Sequence, residues 1–435
     1  MQGMQTPYCF SALLRLRWVA VLWVVWVMVA CAPAQLTKSS DPQPIPVAAS
    51  PASASDPAQD FARWVQAFSA DARAAGIDDS TLHNAFDSVQ YVPSAIASDQ
   101  AQPEFTRNVW DYLDGAVSAL RVSRGQDKLR QLYAFKVDVD AIATRYGVPT
   151  EILVAIWGME SSYGSNAGTI STIDALSTLG FEGRRGPWAR GQLLAALKIL
   201  QSGDISRSQM LGSWAGAMGQ TQFLPTNFLA YAVDGDGDGK RDIWGSVPDV
   251  MASTANFLAR SGWQAGQTWG IEVRLPPGFD AALADPAVRR TTLQWAEAGV
   301  QTQDGAPLPV LADSALLLPA GVRGPAFVVG PNFRTLLRYN NATSYALAVG
   351  LLAQRLAGGP AVQAPWPRDL QALSRIQMRM LQTALNAQGF DTGVPDGVVG
   401  PATQAGVRQY QRSQGLPADG YPTQDLLQRL QPTPQ

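Results

Sequence analysis

Thr150–Gly164, TEILVAIWGMESSYG, follows Pro149 and carries six apolar residues in a row, Ile152 to Trp157, before the polar cluster Glu160-Ser161-Ser162 and the break at Gly164. Proline then threonine is a helix start and a glycine after polar residues is a stop, so the stretch predicts one helix. Ile152, Ile156 and Glu160 lie four residues apart and share a face, which puts the acid on the stripe that meets a core. Desolvation disfavours the charged form of a buried carboxyl, so Glu160 is expected to keep its proton near neutral pH, as a general acid must. A glutamate at a helix end also serves as a solvated cap or as half of a core ion pair. All three readings stand on this segment alone.

The rest of the composition narrows the chemistry. A chain of 435 residues has room for two to three domains at about 150 residues each. With 46% apolar and 16% charged residues and a net charge of -2, it reads as globular and nearly neutral. No long basic run is present, so nucleic acid is not an expected partner. The single histidine, His83, and the two cysteines, Cys9 and Cys31, exclude a His-rich zinc site, a Ser-His-Asp triad away from His83, and a disulfide framework. An enzyme with this inventory works through carboxylates, amides and hydroxyls.

At the N-terminus, Arg15 and Arg17 precede the apolar run Trp18–Ala30, with small residues around Cys31, the pattern of an export signal. The run is shorter than the roughly 20 residues that a spanning helix needs. Met28-Val29-Ala30-Cys31 resembles a bacterial lipobox with methionine in place of the usual leucine. That resemblance implies a lipoprotein signal peptide over 1–31, lipidation of Cys31, and a periplasmic body anchored to the outer membrane, since Ala32 rather than aspartate follows. An ordinary cleaved signal and an uncleaved anchor are the alternatives. Residues 32–58 are Pro, Ala, Ser and Asp with almost nothing to bury, which reads as a disordered tether.

Beyond the tether, Phe61-Trp64-Val65-Phe68, Leu193-Leu194-Leu197-Leu200, Val250–Leu258 and Tyr345–Leu356 have helical spacing, while Trp269–Phe279 and Ala326–Phe333 alternate like strands. The expected class is mainly α (α+β), with a helical body over 59–358 holding a small β insert. The Pro-rich stretch 359–369 reads as a linker, and 370–432 as a three-helix module. Its first helix is expected to pack through Ile376, Met380, Leu381 and Leu385, its second through Val407 and Tyr410, its third through Leu426, Leu427 and Leu430.

Four motifs recur in a recognisable order: MESSYG (159–164), STIDALSTLGFEGRR (171–185), GSWAGAMGQTQFLPTNF (212–228) and NFRTLLRYNNATSYALAVGLLA (332–353). Together they resemble the lytic murein transglycosylase B family. The resemblance implies a lysozyme-like core in which Glu160 cleaves the bond between N-acetylmuramic acid and N-acetylglucosamine of peptidoglycan. It implies one residue acting as acid and then as base, closing a 1,6-anhydro ring, where a hydrolase would need a second carboxylate. Asp174 is the nearest alternative second acid, against a structural role in capping or holding a turn. The loop 212–228 reads first as structural, its glycines allowing close backbone approach. The family reading adds Ser213 and Gln222 as hydrogen-bonding groups and Met218 and Phe223 as an apolar platform for the sugar. It also sets Tyr339, Asn340 and Tyr345 beside Glu160, with Asn340 orienting the acetamido group, and Arg184 and Arg185 in the cleft. Core aromatics with a capping amide, and a solvated arginine pair, are the plainer readings.

Asp234, Asp236 and Asp238 alternate with glycines as in an EF-hand loop, whose seventh residue, here Lys240, offers a carbonyl. Position twelve is Gly245 rather than glutamate; family members close a longer loop with a later acid, which Asp249 matches. The expectation is structural Ca²⁺ or Na⁺, with no cofactor for catalysis; a metal-free Asp-Gly turn is the alternative. Asp396-Gly397, Gly400, Thr403, Tyr410-Gln411, Leu416-Pro417 and Asp419-Gly420 resemble a peptidoglycan-binding domain. The implied partners are glycan strands, the outer membrane through the lipid, and proteins of cell-wall synthesis or division. A hydrolytic muramidase and an inactive peptidoglycan-binding scaffold are the competing functions.

Overall fold

In the computed structural model the described residues are 56–100, 107–134 and 138–431. Helices α1 (Pro57–Ala74), α2 (Asp79–Phe86), α3 (Pro93–Gln100), α4 (Val109–Ala116), α5 (Ala119–Ala134) and α6 (Val139–Tyr146) precede α7 (Thr150–Ser161), the helix that carries Glu160. Then come α8 (Thr172–Glu182), α9 (Gly186–Ser202), α10 (Pro225–Tyr231), α11 (Val247–Arg260), α12 (Thr292–Glu297), α13 (Pro331–Tyr339) and α14 (Thr343–Leu356). The C-terminal module is α15 (Arg375–Ala387), α16 (Pro401–Ser413) and α17 (Gln424–Leu430). The class is mainly α, as the spacing of apolar residues predicts.

Helix α7 is more deeply set than its sequence stripe suggests. Every residue from Ile152 to Gly158 is buried, because α5, α6, α11 and α14 all pack on it. A helix that is apolar all round belongs at the centre of a core. Its start is fixed by a tight reversal: Gly147, in the left-handed region at φ 67°, ends α6, and Pro149 opens α7.

Strands are few and short. β1 (Ile170–Ser171) pairs antiparallel with β2 (Leu211–Gly212), Ile170 facing Gly212. A four-stranded antiparallel sheet runs β4 (Gln301–Thr302), β3 (Gly270–Arg274), β7 (Ala326–Val329), β5 (Ala315–Leu317), with Ile271 opposite Val328. β6 (Pro319–Val322) links β5 to β7 outside that order. The insert encloses its own core of Val273, Trp295, Leu316 and Val328. The two strand segments expected from sequence are β3 and β7.

Three sequence expectations change. Ile376 and Met380 are 72% and 46% exposed; α15 packs instead through Met378, Leu381 and Leu385, because these face α16 and α17. Pro57 and Ala58 begin α1 behind the Asp56 cap rather than ending a tether. The stretch 359–369 lies on the body, with Val362 and Trp366 packed against its main core. The signal segment, Cys31 and residues 32–55 fall outside the described residues. Among the described residues no helix is long and apolar enough to cross a membrane.

Candidate active site

The last turn of α7 brings Glu160 to the first turn of α14, where the Tyr345 hydroxyl donates to Glu160 Oε1 at 2.5 Å. Part of the glutamate's surface reaches solvent, but protein crowds its carboxyl. Burial outweighs the lowering pull of the Tyr345 hydrogen bond and leaves that group raised from 4.5 to about 7. No second carboxylate contributes to this shift. Tyr339, at the end of α13, stacks on Tyr345 with ring centroids 6.4 Å apart at 11°. Its hydroxyl donates to the Thr221 carbonyl at 2.7 Å and so ties the 212–228 loop to the same wall. Burial first, and then the Glu160 charge, hold both tyrosine hydroxyls well above their usual range, so they stay protonated donors.

Sequence reasoning missed Tyr112 on α4. Burial, followed by the charge of Glu160, raises its hydroxyl, which sets it within electrostatic reach of the acid. Nothing local marks this tyrosine, since its position depends on α4 packing against α14. Gln220 was also missed. Its side chain accepts from Trp157 Nε1 at 2.7 Å and donates to the Trp244 carbonyl at 2.6 Å, bracing α7 against the Asp-rich loop.

The backbone is strained where it leaves the acid. Ser162 (φ 49°), Tyr163 (φ 61°) and Gln222 (φ 51°) are the non-glycine residues with left-handed φ among the described residues, and all flank this site. The reversal at Ser162-Tyr163 tucks the Tyr163 ring under α7, edge-on to Trp157 at 5.9 Å, with its hydroxyl donating to the Arg121 carbonyl at 2.8 Å. Gly158 makes room for it: a Cβ there would sit 2.5 Å from the ring.

The other expected site residues separate into groups. Ser213 holds its own turn, its Oγ accepting from Ala217 N at 3.1 Å. The Gln222 amide donates to the carbonyls of Ala167 at 3.0 Å and Gly219 at 2.8 Å. Met218 and Phe223 are 0% and 2% exposed, so they are not a surface platform. They support the loop from beneath, Phe223 against Phe257 and Tyr339, because the loop's short backbone bridges turn them inward. Asn340 caps α13 and is exposed. Arg184 and Arg185 are both anchored on the buried Asp99, and the Arg185 guanidinium lies 4.5 Å over Trp188. They form a cluster of their own around Asp99. Asp174 is paired with Arg207 at 2.6 Å in a separate polar groove of about 500 Å³, which also holds Asn84, Ser88 and Ser206.

Residues 60–354 match the family model described as the transglycosylase SLT domain. The chain belongs to the transglycosylase SLT domain family. Residues 374–430 match the model of a peptidoglycan binding domain. Over 219 residues the SLT-family chain is 36% identical to membrane-bound lytic murein transglycosylase B of Escherichia coli K12, a match spanning 49% of this chain and 58% of that relative. It is similar to the crystal structure of SltB3 from Pseudomonas aeruginosa in complex with NAG-NAM-pentapeptide, with a TM-score of 0.82, 53% identity and coverage of 85% of this chain and 99% of the other. Escherichia coli Slt35 in complex with calcium matches with a TM-score of 0.57 and 29% identity, over 68% of this chain and 92% of that one.

In this SLT-family chain the Asp-rich loop draws together carboxylate oxygens of Asp234, Asp236 and Asp249, all within 4.8 Å of one another. Asp249 is buried, and desolvation raises its carboxyl although Gly235 N and Asp242 N both donate to it. Three converging acids, one of them buried, suit a hard cation with oxygen ligands. Asp238 is outside that group: its Oδ1 accepts from Lys240 N at 2.8 Å, as in a plain Asx turn. The C-terminal module docks on the insert through Arg408 to Asp285 at 3.2 Å and Val322 N to Asp419 at 2.9 Å.

Proposed function

We propose that this protein is a lytic transglycosylase that cleaves the MurNAc-GlcNAc β-1,4 bond of peptidoglycan without water and leaves 1,6-anhydro-MurNAc ends. The observation that carries the reading is the lone carboxyl of Glu160, raised to about 7 by burial and contacted by tyrosine rather than by a second acid. A group with that value is protonated often enough to give its proton to the leaving oxygen and basic enough to take one back. Protonated Glu160 donates to the glycosidic oxygen as the bond to the muramic C1 breaks. The carboxylate then removes the proton of that sugar's C6 hydroxyl, whose oxygen closes on C1, so the acid ends as it began. Tyr345 holds the carboxylate stage, which lacks the partner a buried charge needs. Asn340 and Ser213 face the acetamido and sugar groups in this reading, and Arg184 and Arg185 meet the peptide stem.

SltB3 structures with NAG-NAM-pentapeptide and with NAG-anhNAM-pentapeptide support the substrate and the anhydro product by similarity. A hydrolytic muramidase is the second reading, favoured by the description of one similar structure as a muramidase/transglycosylase. Mass spectrometry of digested sacculi separates them, since anhydro ends are one water lighter; hydrolysed ends alone would defeat the proposal. Asp234, Asp236 and Asp249 would hold a structural Ca²⁺, a role for which Slt35 with calcium is the parallel. Further proposals are a wall-binding role for 370–432, a periplasmic body, and an outer-membrane anchor at Cys31.

A further inference from the structure

The segment between body and module is built more firmly than a tether requires. Tethering needs only length and solubility. Yet Glu272 of β3 accepts from Gln363 N at 2.9 Å and Ala364 N at 2.8 Å, and Arg323 binds both carboxylate oxygens of Asp369 at 2.9 Å. Between these pins the segment lies across α4. Trp366 packs on Trp110, ring centroids 6.3 Å apart, and Trp110 is only 2% exposed. Arg368 grips Asp114 with two parallel bonds of 2.8 and 2.9 Å. The Asn108 side chain, at the N-cap of α4, reaches the Leu370 carbonyl at 3.4 Å instead of capping its own helix.

Helix α4 has 8 residues, with Gly115 in its last turn. A helix so short is not stable by itself in water, so its position is set by what packs on it. On one side that is α14, which brings Tyr345 to the acid. Trp110 and Asp114, one turn apart, meet the segment 359–369, while Tyr112, about 200° round the helix from Trp110, packs against the main core that holds Trp157 and Tyr345. The module lies within electrostatic reach of α4, since burial first, then Asp419 and then Asp111 raise the Tyr421 hydroxyl.

We propose that residues 359–369 act as a strap that fixes α4, so that Trp366 and Arg368 are positioning residues for the Tyr112 and Tyr345 wall around Glu160. The strap thereby makes the wall-binding end of the chain a structural part of the cleft. This rests on Glu160 being the acid.

The test uses the full chain and soluble disaccharide-peptide oligomers released from peptidoglycan, so that binding to intact wall plays no part. Trp366→Ala and Tyr112→Phe are each expected to lower kcat about tenfold with KM within about twofold, the size of effect that a small displacement of an active-site wall produces. The double variant is expected to be no slower than the slower single one, because one acts through the other, and Trp366→Phe should recover most of the rate. Losses that multiply to about a hundredfold, a change in KM alone, or unaltered kcat would each overturn the proposal. Should Trp366→Ala fail to fold, the exposed pair serves: Arg368→Ala is expected to lower kcat and Arg368→Lys to restore part of it, and wild-type kinetics in Arg368→Ala would defeat the strap. A fully active Glu160→Gln enzyme would instead strike the reading of the acid, which keeps the two failures apart.

Discussion

Replacing Glu160 by glutamine should make the protein inactive and, above neutral pH, more stable. In the folded protein burial raises this carboxyl from 4.5 to about 7. Below pH 4.5 both folded and unfolded chains carry the proton, and the charge-related term vanishes. Between 4.5 and about 7 the unfolded chain ionises while the folded one holds its proton, so wild-type stability falls as pH rises. Above about 7 the folded protein carries a buried carboxylate, and the loss levels off at about 3 kcal/mol, from a gap of about 2.5 pH units at about 1.4 kcal/mol each. Glutamine keeps the shape and an acceptor for Tyr345 but has no charge to bury. Thermal or urea unfolding of both proteins across this range should show Glu160→Gln level with wild type in acid, then ahead by a margin that grows to about pH 7 and stays constant. Lysis of sacculi by the same variant should drop by about a thousandfold or more. A stability difference that ignores pH, or a variant no more stable than wild type at alkaline pH, would refute the burial argument.

Three further outcomes follow from the geometry. Tyr345→Phe removes the one hydrogen bond that lowers the acid, so the alkaline limb of the rate profile should move to higher pH as kcat falls; a limb that moves down would contradict the assignment. Gly158→Ala places a methyl against the Tyr163 ring and should cost about 1–3 kcal/mol in unfolding free energy by overpacking. Calcium should stabilise wild type by about 2.7 kcal/mol of binding linkage at a hundredfold excess over Kd, read as a higher melting temperature, and should leave Asp234→Asn unmoved. Desolvation raises Asp249, so that benefit should weaken as pH falls and the acid takes up a proton; calcium titrations at two pH values would show it.

Much of the architecture was legible because it is written in local patterns. The apolar run before Glu160 reads as a buried helix, the spacing in Leu193–Leu200 as α9, and the Asp-Gly alternation as a tight loop, since each depends on neighbours a turn or two away. Ile376 and Met380 misled for the same reason: periodicity shows that a helix has an apolar face, but not which apolar residues its neighbours cover. The motif loop misled likewise, its Met218 and Phe223 turned inward by backbone bridges that no spacing reveals.

The sequence by itself determined the helical class, the buried helix that ends at Glu160, and the poverty of histidine that leaves carboxylate chemistry. Tertiary structure alone decided what surrounds the acid. Tyr112, Tyr339 and Tyr345 come from three helices, and Asp174 is drawn off to Arg207. A stretch that reads as a free linker lies pinned across α4. The reason is physical: desolvation, the fields of distant charges and the support of a short helix are sums over atoms far apart in the chain, and they exist only once it has folded.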